Sequence, residues 1–230
     1  ICNDNFTELY GGTTSALGFK AEGTNFTGSL LIGHSTTGTI SSALGNTGLG
    51  IAALDALTSG DYNVAIGNEA GGALTEGERN VLIGYAAGDA ITTGDHNTAV
   101  GHGALSAEDT HGYNVAIGYK TLNVQNAGAN AYNVAVGYEA GKEVTSGTLN
   151  TLVGGLAGDA LTSGSRNIAM GYEALSTEDT GHRNVAIGYQ ALKVQNYGDN
   201  NYNVAVGYQA GSSVTSGLRN VLIGGEAADA

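Results

Sequence analysis

Asn203-Val204-Ala205-Val206-Gly207-Tyr208-Gln209-Ala210 decides how this chain is read, because the same phrase returns along it with its variable positions changing in a restricted way. Full copies begin at Asn63, Asn80, Asn97, Asn114, Asn133, Asn150, Asn167, Asn184, Asn203 and Asn220, and weaker ones at Asn46, Ser29 and Thr14. A fixed internal period dictates architecture before local propensity does. Successive full copies stand 17 residues apart, except after Asn114 and Asn184, where the interval is 19. A longer period overlies this one: Asn63, Asn133 and Asn203 are 70 apart, and Leu105–Thr110 is nearly repeated as Leu175–Thr180. Four coils form one unit, and the unit is duplicated.

A 17-residue period is too short for paired helices and fits one coil of a parallel β-solenoid, whose strands pair with the coils above and below. Thirteen copies at ~4.8 Å per strand predict a rod on the order of 60 Å long over residues 14–230. The Gly that closes each strand, from Gly67 through Gly137 to Gly224, marks a bend that needs positive φ or close backbone approach. The absence of Pro agrees, since Pro deletes a ladder hydrogen bond. The Asn column is expected at a left-handed corner, its amides bonding from coil to coil.

Composition points the same way. With 39 Gly, no Pro, no Trp and 13% charged residues, the chain lacks the large aliphatic content of an ordinary globule, so repeated backbone ladders must supply stability. The formal charge of −13 disfavours nucleic acid and anionic membrane surfaces as partners. No apolar run is long enough to span a bilayer, so membrane insertion is not expected. Cys2 is the only cysteine and carries no disulfide framework. Because the chain opens on Ile1 and stops at Ala230 inside a repeat, it is expected to be a piece of something longer.

Residues 1–13 read as a lead-in or neck segment. Phe6, Leu9 and Tyr10 follow capping-type residues at roughly helical spacing, which predicts a short helix. Within each repeat the residues alternate faces, so Val64 and Ile66 point one way and Ala65 the other. The expectation is that the Val/Ile set fills the coil. The opposite row, Ala65, Leu82, Ala99, Ala116, Ala135, Leu152, Ala169, Ala186, Ala205 and Leu222, is then left to make a lengthwise interface in a closed cyclic oligomer.

The phrase Asn-Val-Ala-Ile-Gly-Tyr-x-Ala resembles the head repeat of YadA-type trimeric autotransporter adhesins and the same repeat in bacteriophage tail fibres, over about residues 14–230. Asn3–Tyr10 also resembles a segment found near the start of fibre regions in tail-fibre proteins. The resemblance implies an all-β, left-handed parallel β-roll assembled as a homotrimer, with the Ala-bearing face toward the three-fold axis. The 17- and 19-residue coils depart from the shorter adhesin coil, which predicts longer outer segments.

No catalytic constellation emerges. His34, His96, His102, His111 and His182 fall at different levels with no repeated carboxylate, so no enzyme, cofactor or metal is expected. His34 and His102 occupy the column otherwise held by Tyr85, Tyr119, Tyr138, Tyr172, Tyr189 and Tyr208, and read as stacking residues. Glu108-Asp109 and Glu178-Asp179 lack the repeated glycines of a calcium-binding roll and read as solvated loops. The column before the Asn (Tyr62, Arg79, His96, Tyr113, Tyr132, Arg166, Arg183, Tyr202, Arg219) is expected at an exposed corner, with its members stacked on one another. The two 19-residue coils should protrude as loops. Asn126, Asn130, Tyr132, Asn196, Tyr197, Asp199 and Tyr202 are therefore the receptor-contact candidates. The function this reading favours is a structural and adhesive segment of a phage tail fibre in the virion, contacting other tail-fibre proteins and a host-surface glycan or protein. The alternative is the head of a trimeric adhesin on a bacterial outer surface.

Overall fold

The computed structural model describes residues 19–23, 26–32, 42–198 and 200–228. The expected helix within residues 1–12, Cys2, His34 and Asp199 lie outside them. The chain begins with β1 (Phe19–Gly23) and β2 (Phe26–Ile32), continues through β3 (Ala43–Leu44) and β4 (Thr47–Leu49), and then repeats one motif. Its strands are β5 (Val64–Ile66), β6 (Val81–Ile83), β7 (Thr98–Val100), β8 (Val115–Ile117), β9 (Val134–Val136), β10 (Thr151–Val153), β11 (Ile168–Met170), β12 (Val185–Ile187), β13 (Val204–Val206) and β14 (Val221–Ile223).

From β2 through β4 to β14 these strands form one parallel sheet in sequence order, a β-solenoid of about eleven turns. Register follows the repeat, so Leu31 pairs with Gly48, Gly48 with Ala65, and Ala65 with Leu82. The 19-residue coils keep that register, with Ala116 opposite Ala135 and Ala186 opposite Ala205. Their extra residues are absorbed outside the strand. β1 instead pairs antiparallel with β2, so the uniform parallel stack expected from residue 14 starts only at β2.

Each strand of the repeat is three residues long because a Gly ends it. At Gly137 φ is 142°, and a Cβ there would lie 2.4 Å from the carbonyl oxygen of Gly154 on the next coil. Only a residue without a side chain lets successive backbones approach so closely at every level. The Asn column then ties coil to coil. The Asn150 backbone N–H donates to Asn133 Oδ1 at 2.8 Å, its Nδ2 donates to the Gly164 carbonyl at 2.9 Å, and its own Oδ1 accepts from the Asn167 N–H at 2.9 Å. Amide-to-amide bonds also occur, as from Asn80 Nδ2 to Asn63 Oδ1 at 3.1 Å.

These Asn residues are not themselves left-handed. The positive φ falls one residue earlier, at Tyr62 (58°), Arg79 (57°), Tyr132 (52°) and Arg183 (63°) among others. Such a conformation is unfavourable by roughly 1 kcal/mol or more for a residue with a Cβ. At Tyr62, Arg79 and Arg183 it persists because the N–H is held by the preceding coil, as Arg79 is by the Asp61 carbonyl at 2.9 Å. The twist throws the side chain outward.

The strand faces are the reverse of the sequence expectation. Ala65, Leu82, Ala99, Ala116, Ala135, Leu152, Ala169, Ala186 and Ala205 are fully buried inside the chain's own coil and cannot meet a neighbour, while Leu222, at the open end, is half-buried against the same core. The residues on either side of them, such as Ile117 and Val134, are about 37% exposed. The reason is volume. The coil is narrow, and side chains from the turn opposite the sheet already fill it: Leu54, Leu105, Leu122, Leu175 and Leu192 in one column, Leu57, Leu74, Ile91, Val144 and Leu161 in another. Only Ala fits beneath most of them. Where the strand carries Leu, the turn carries Gly: a Cβ at Gly71 or Gly88 would lie 2.7 Å from a Leu82 methyl, and one at Gly141 or Gly158 would lie 2.6 or 2.8 Å from a Leu152 methyl. Large and small residues exchange places across the core at near-constant total volume.

Asn150→Ala removes a buried donor and acceptor and leaves the Asn167 N–H and the Gly164 carbonyl without partners. It is expected to cost ~2–5 kcal/mol in equilibrium urea unfolding. The equivalent change at Asn220, only partly buried near the open end, is expected to cost less.

Candidate functional site

Three outward-facing features are built on this scaffold. The first is the corner column before the Asn. Left-handed φ aims its side chains into solvent, and Tyr62, Tyr113, Tyr132 and Tyr202 remain exposed. They stack as the sequence suggested: His96 on Tyr113 at 4.9 Å, Tyr113 on Tyr132 at 5.1 Å, the Arg79 guanidinium 5.6 Å over Tyr62 and that of Arg183 5.4 Å over Tyr202. Leu149 occupies the same position, with φ 61°.

The second feature is the Tyr column beyond the strand-ending Gly. His102 sits edge-on between Tyr85 (5.0 Å) and Tyr119 (5.2 Å), Tyr138 stacks on Tyr119 at 5.4 Å, and Tyr172, Tyr189 and Tyr208 form a second stack at 5.7 and 5.3 Å. His102 is thus a member of the stack, as expected.

The third is the pair of 19-residue coils. Asn126, Asn130, Tyr132, Asn196, Tyr197 and Tyr202 are all exposed, three on each of two coils that stand four levels apart. Asn130 also has structural work: its Oδ1 accepts the Gly112 N–H at 3.0 Å.

What anchors these loops was misread in the sequence. Glu108 and Glu178 are fully buried, not solvated. They occupy the column that runs Leu57, Leu74, Ile91 one coil after another, and Gln125 and Gln195 follow them in it. Gln195 Nε2 donates to Glu178 Oε2 at 3.1 Å, while Gln195 Oε1 accepts from Asn203 Nδ2 at 2.9 Å. Glu178 also takes the Gly181 N–H at 2.8 Å, Asn201 Nδ2 at 2.7 Å and the Tyr197 N–H at 3.4 Å. One carboxylate therefore pins both ends of the inserted segment to the Asn ladder. Burial pushes its pKa up, and the donors around it pull the other way. In the first unit Gln125 bridges Glu108 to Asn133 at 3.0 and 3.0 Å. The 17-residue offset from Ile91 was the available signal, masked by the expectation that paired acids face water.

Glu108, Asp109 and His111 bring ligand-type atoms within 4.8 Å of one another. His111 meets the Glu108 carboxylate through its backbone N–H at 3.2 Å and Nδ1 at 3.3 Å, so the contact closes this turn. Two threonines at one position of the repeat are likewise occupied with their neighbours: Thr75 Oγ1 donates to the Thr92 carbonyl at 3.1 Å and Thr162 Oγ1 to that of Asp179 at 3.1 Å. Among the described residues no helix is long and apolar enough to cross a membrane.

No family model, curated protein or solved structure matches the chain.

Asp159 lies in the outer turn with a buried Oδ1 that has no hydrogen-bond partner. Burial, and then the charges of Glu173 and Glu139, raise its pKa to about 6 from 3.8, against the pull of its own backbone and Lys142. An acid with a raised folded pKa favours the folded state below the unfolded value, and that contribution is lost as pH rises through the folded one. Asp159→Asn should therefore raise the melting temperature at pH 7, with the gain shrinking between pH 6 and pH 4 and absent below it.

Proposed function

We propose that the chain is a rigid segment of a bacteriophage tail fibre, assembled lengthwise as a homotrimer of left-handed β-rolls and projecting toward the host surface. The observation that carries this reading is the outward face of the sheet. Along every coil from Leu30 to Ile223 the two flanking strand residues are Val, Ile, Leu, Met or Thr, and none is charged. Of these, Leu49, Ile66, Ile117, Val134, Ile168 and Met170 stand exposed at levels spread through the rod. A continuous apolar stripe of this length on a chain carrying −13 charges is a surface that another molecule covers.

A copy of the same chain is the partner whose spacing matches at every level. Three such stripes meeting on one axis close the assembly and leave the corner columns and the 19-residue coils outside, where contact with a host glycan or protein is made. The likeness of the repeat to tail-fibre and trimeric-adhesin heads supports three-fold symmetry, with the Val/Ile stripe, in place of the buried Ala row, toward the axis. Weak contacts repeated at several levels and on three chains then add through effective concentration. Tyr132 and Tyr202, large, amphipathic and rigidly mounted, are the residues best suited to such contacts.

Native mass spectrometry is expected to give three times the 23.0 kDa chain mass. Ile117→Glu with Met170→Glu, both partly exposed in the single chain, should return the 23.0 kDa species without unfolding it. A wild-type chain that runs at the single-chain mass overturns the assembly.

A further inference from the structure

The outer Tyr column is broken at one level, and the break has the dimensions of a binding slot. Tyr138 ends one stack and Tyr172 begins the next, with Gly155 at the level between them. The backbone runs through that level without interruption: the Leu156 N–H donates to the Tyr138 carbonyl at 2.9 Å and the Glu173 N–H to that of Gly155 at 3.0 Å. Only the ring is missing, and the residue 70 positions earlier is Tyr85. Two coil steps set the backbones that carry the facing rings ~9.6 Å apart, which leaves one coil level, ~4.8 Å from each backbone, for a flat group. That is close to the 5.4 Å and 5.7 Å found between successive rings on either side. Tyr138, with one face uncovered, is 56% exposed, against 37% for Tyr119 inside the stack.

The charge around the slot selects among flat groups. Glu139 and Glu173, beside the Tyr138 and Tyr172 hydroxyls, hold both phenols above their usual pKa. Asp159, on the coil that carries Gly155, feels the negative charge of both glutamates, and Glu143 lies one coil below. Lys142, 3.5 Å from Glu139 and 3.8 Å from Glu143, and Lys193, 2.5 Å from Glu173, are the cations paired with these carboxylates among the described residues. Carboxylates therefore outnumber ammonium groups beside two tyrosine faces. That combination favours a planar cation over a neutral ring or an anion. The chain supplies its own precedent, since Arg79 and Arg183 each place a guanidinium over a tyrosine in the neighbouring column.

We infer that the gap at Gly155 is a binding site for a planar cation, an arginine side chain presented by a protein partner, inserted between Tyr138 and Tyr172. The site lies within one chain, so it stands or falls separately from the fibre assembly. Argininamide serves as the probe and citrullinamide, its neutral isostere, as the control, each titrated into the intact protein and followed by the ring resonances of Tyr138 and Tyr172. Saturable shifts of both rings are expected in the millimolar range, with citrullinamide about tenfold weaker. Gly155→Tyr restores the ring found at the equivalent level. Its Cβ meets only the Tyr172 ring, at an ordinary 3.4 Å, so the variant should fold and lose the site. Gly225→Tyr, at the end of the column where only Tyr208 offers a face, should bind argininamide as the wild type does. If Gly155→Tyr does not fold, Tyr138→Leu with Tyr172→Leu removes the same faces, and because its reporter rings are gone, argininamide binding to it and to the wild type is compared by saturation-transfer NMR observed on the ligand. Undiminished binding in whichever slot variant is used, equal affinity for citrullinamide, or no saturable shift at the two rings would each overturn the inference.

Discussion

The rest of the structure hangs on the buried asparagine amide. Each one satisfies a backbone N–H of the coil that follows it in sequence, and in the 17-residue coils also a carbonyl fourteen residues further on, where the chain turns back toward the sheet; Asn114, which opens a 19-residue coil, donates to the Gly112 carbonyl instead. Without it every level would bury an unpaired donor and acceptor, at a cost that repeats with the coil. Because the bond spans one period, it also fixes the period. The strand-ending Gly and the left-handed residue before the Asn are consequences: the first lets the backbones stack at the distance the amides require, and the second is strained in isolation and held by the coil before it.

That division of labour explains why the two ends of the repeat are so uniform and the middle is free to vary. Inside, Leu on the strand alternates with Leu on the turn, and the 70-residue unit is the record of that exchange: Leu82 flanked by Gly71 and Gly88, Leu152 by Gly141 and Gly158. At two places the apolar column gives way to a buried Glu–Gln pair, and there the coil lengthens to 19 residues. The polar pair is what an inserted loop needs beneath it, since its own backbone donors turn inward and must be met.

The period, the parallel stack, the amide ladder and the stacked corner residues were legible in the sequence, because each is written as the same residue at the same offset. Which strand face points inward was not, and for a physical reason. Alternation separates two faces but does not rank them, and the larger Val/Ile set is the natural choice for a core when strand residues alone are considered. The turn residues Leu54, Leu105, Leu122 and Leu175 reverse the choice by filling the coil from the far side. Reading the turn column at the strand's period would have shown this, as it would have shown Glu108 and Glu178 in line with Leu74 and Ile91. The loop candidates Asn126, Asn196 and Tyr197 were legible from the insertions, while the carboxylate that holds the second loop was not.

Turning the Val/Ile face outward makes assembly along the rod the central claim. Small-angle X-ray scattering of the wild-type protein tests it most directly, because it measures mass per unit length independently of which residues make contact. Three chains side by side over a rod of roughly 50 Å, the length of about eleven turns, is the expected result. A cross-section carrying the mass of one chain, in a rod of that length or in a longer one joined end to end, would contradict it.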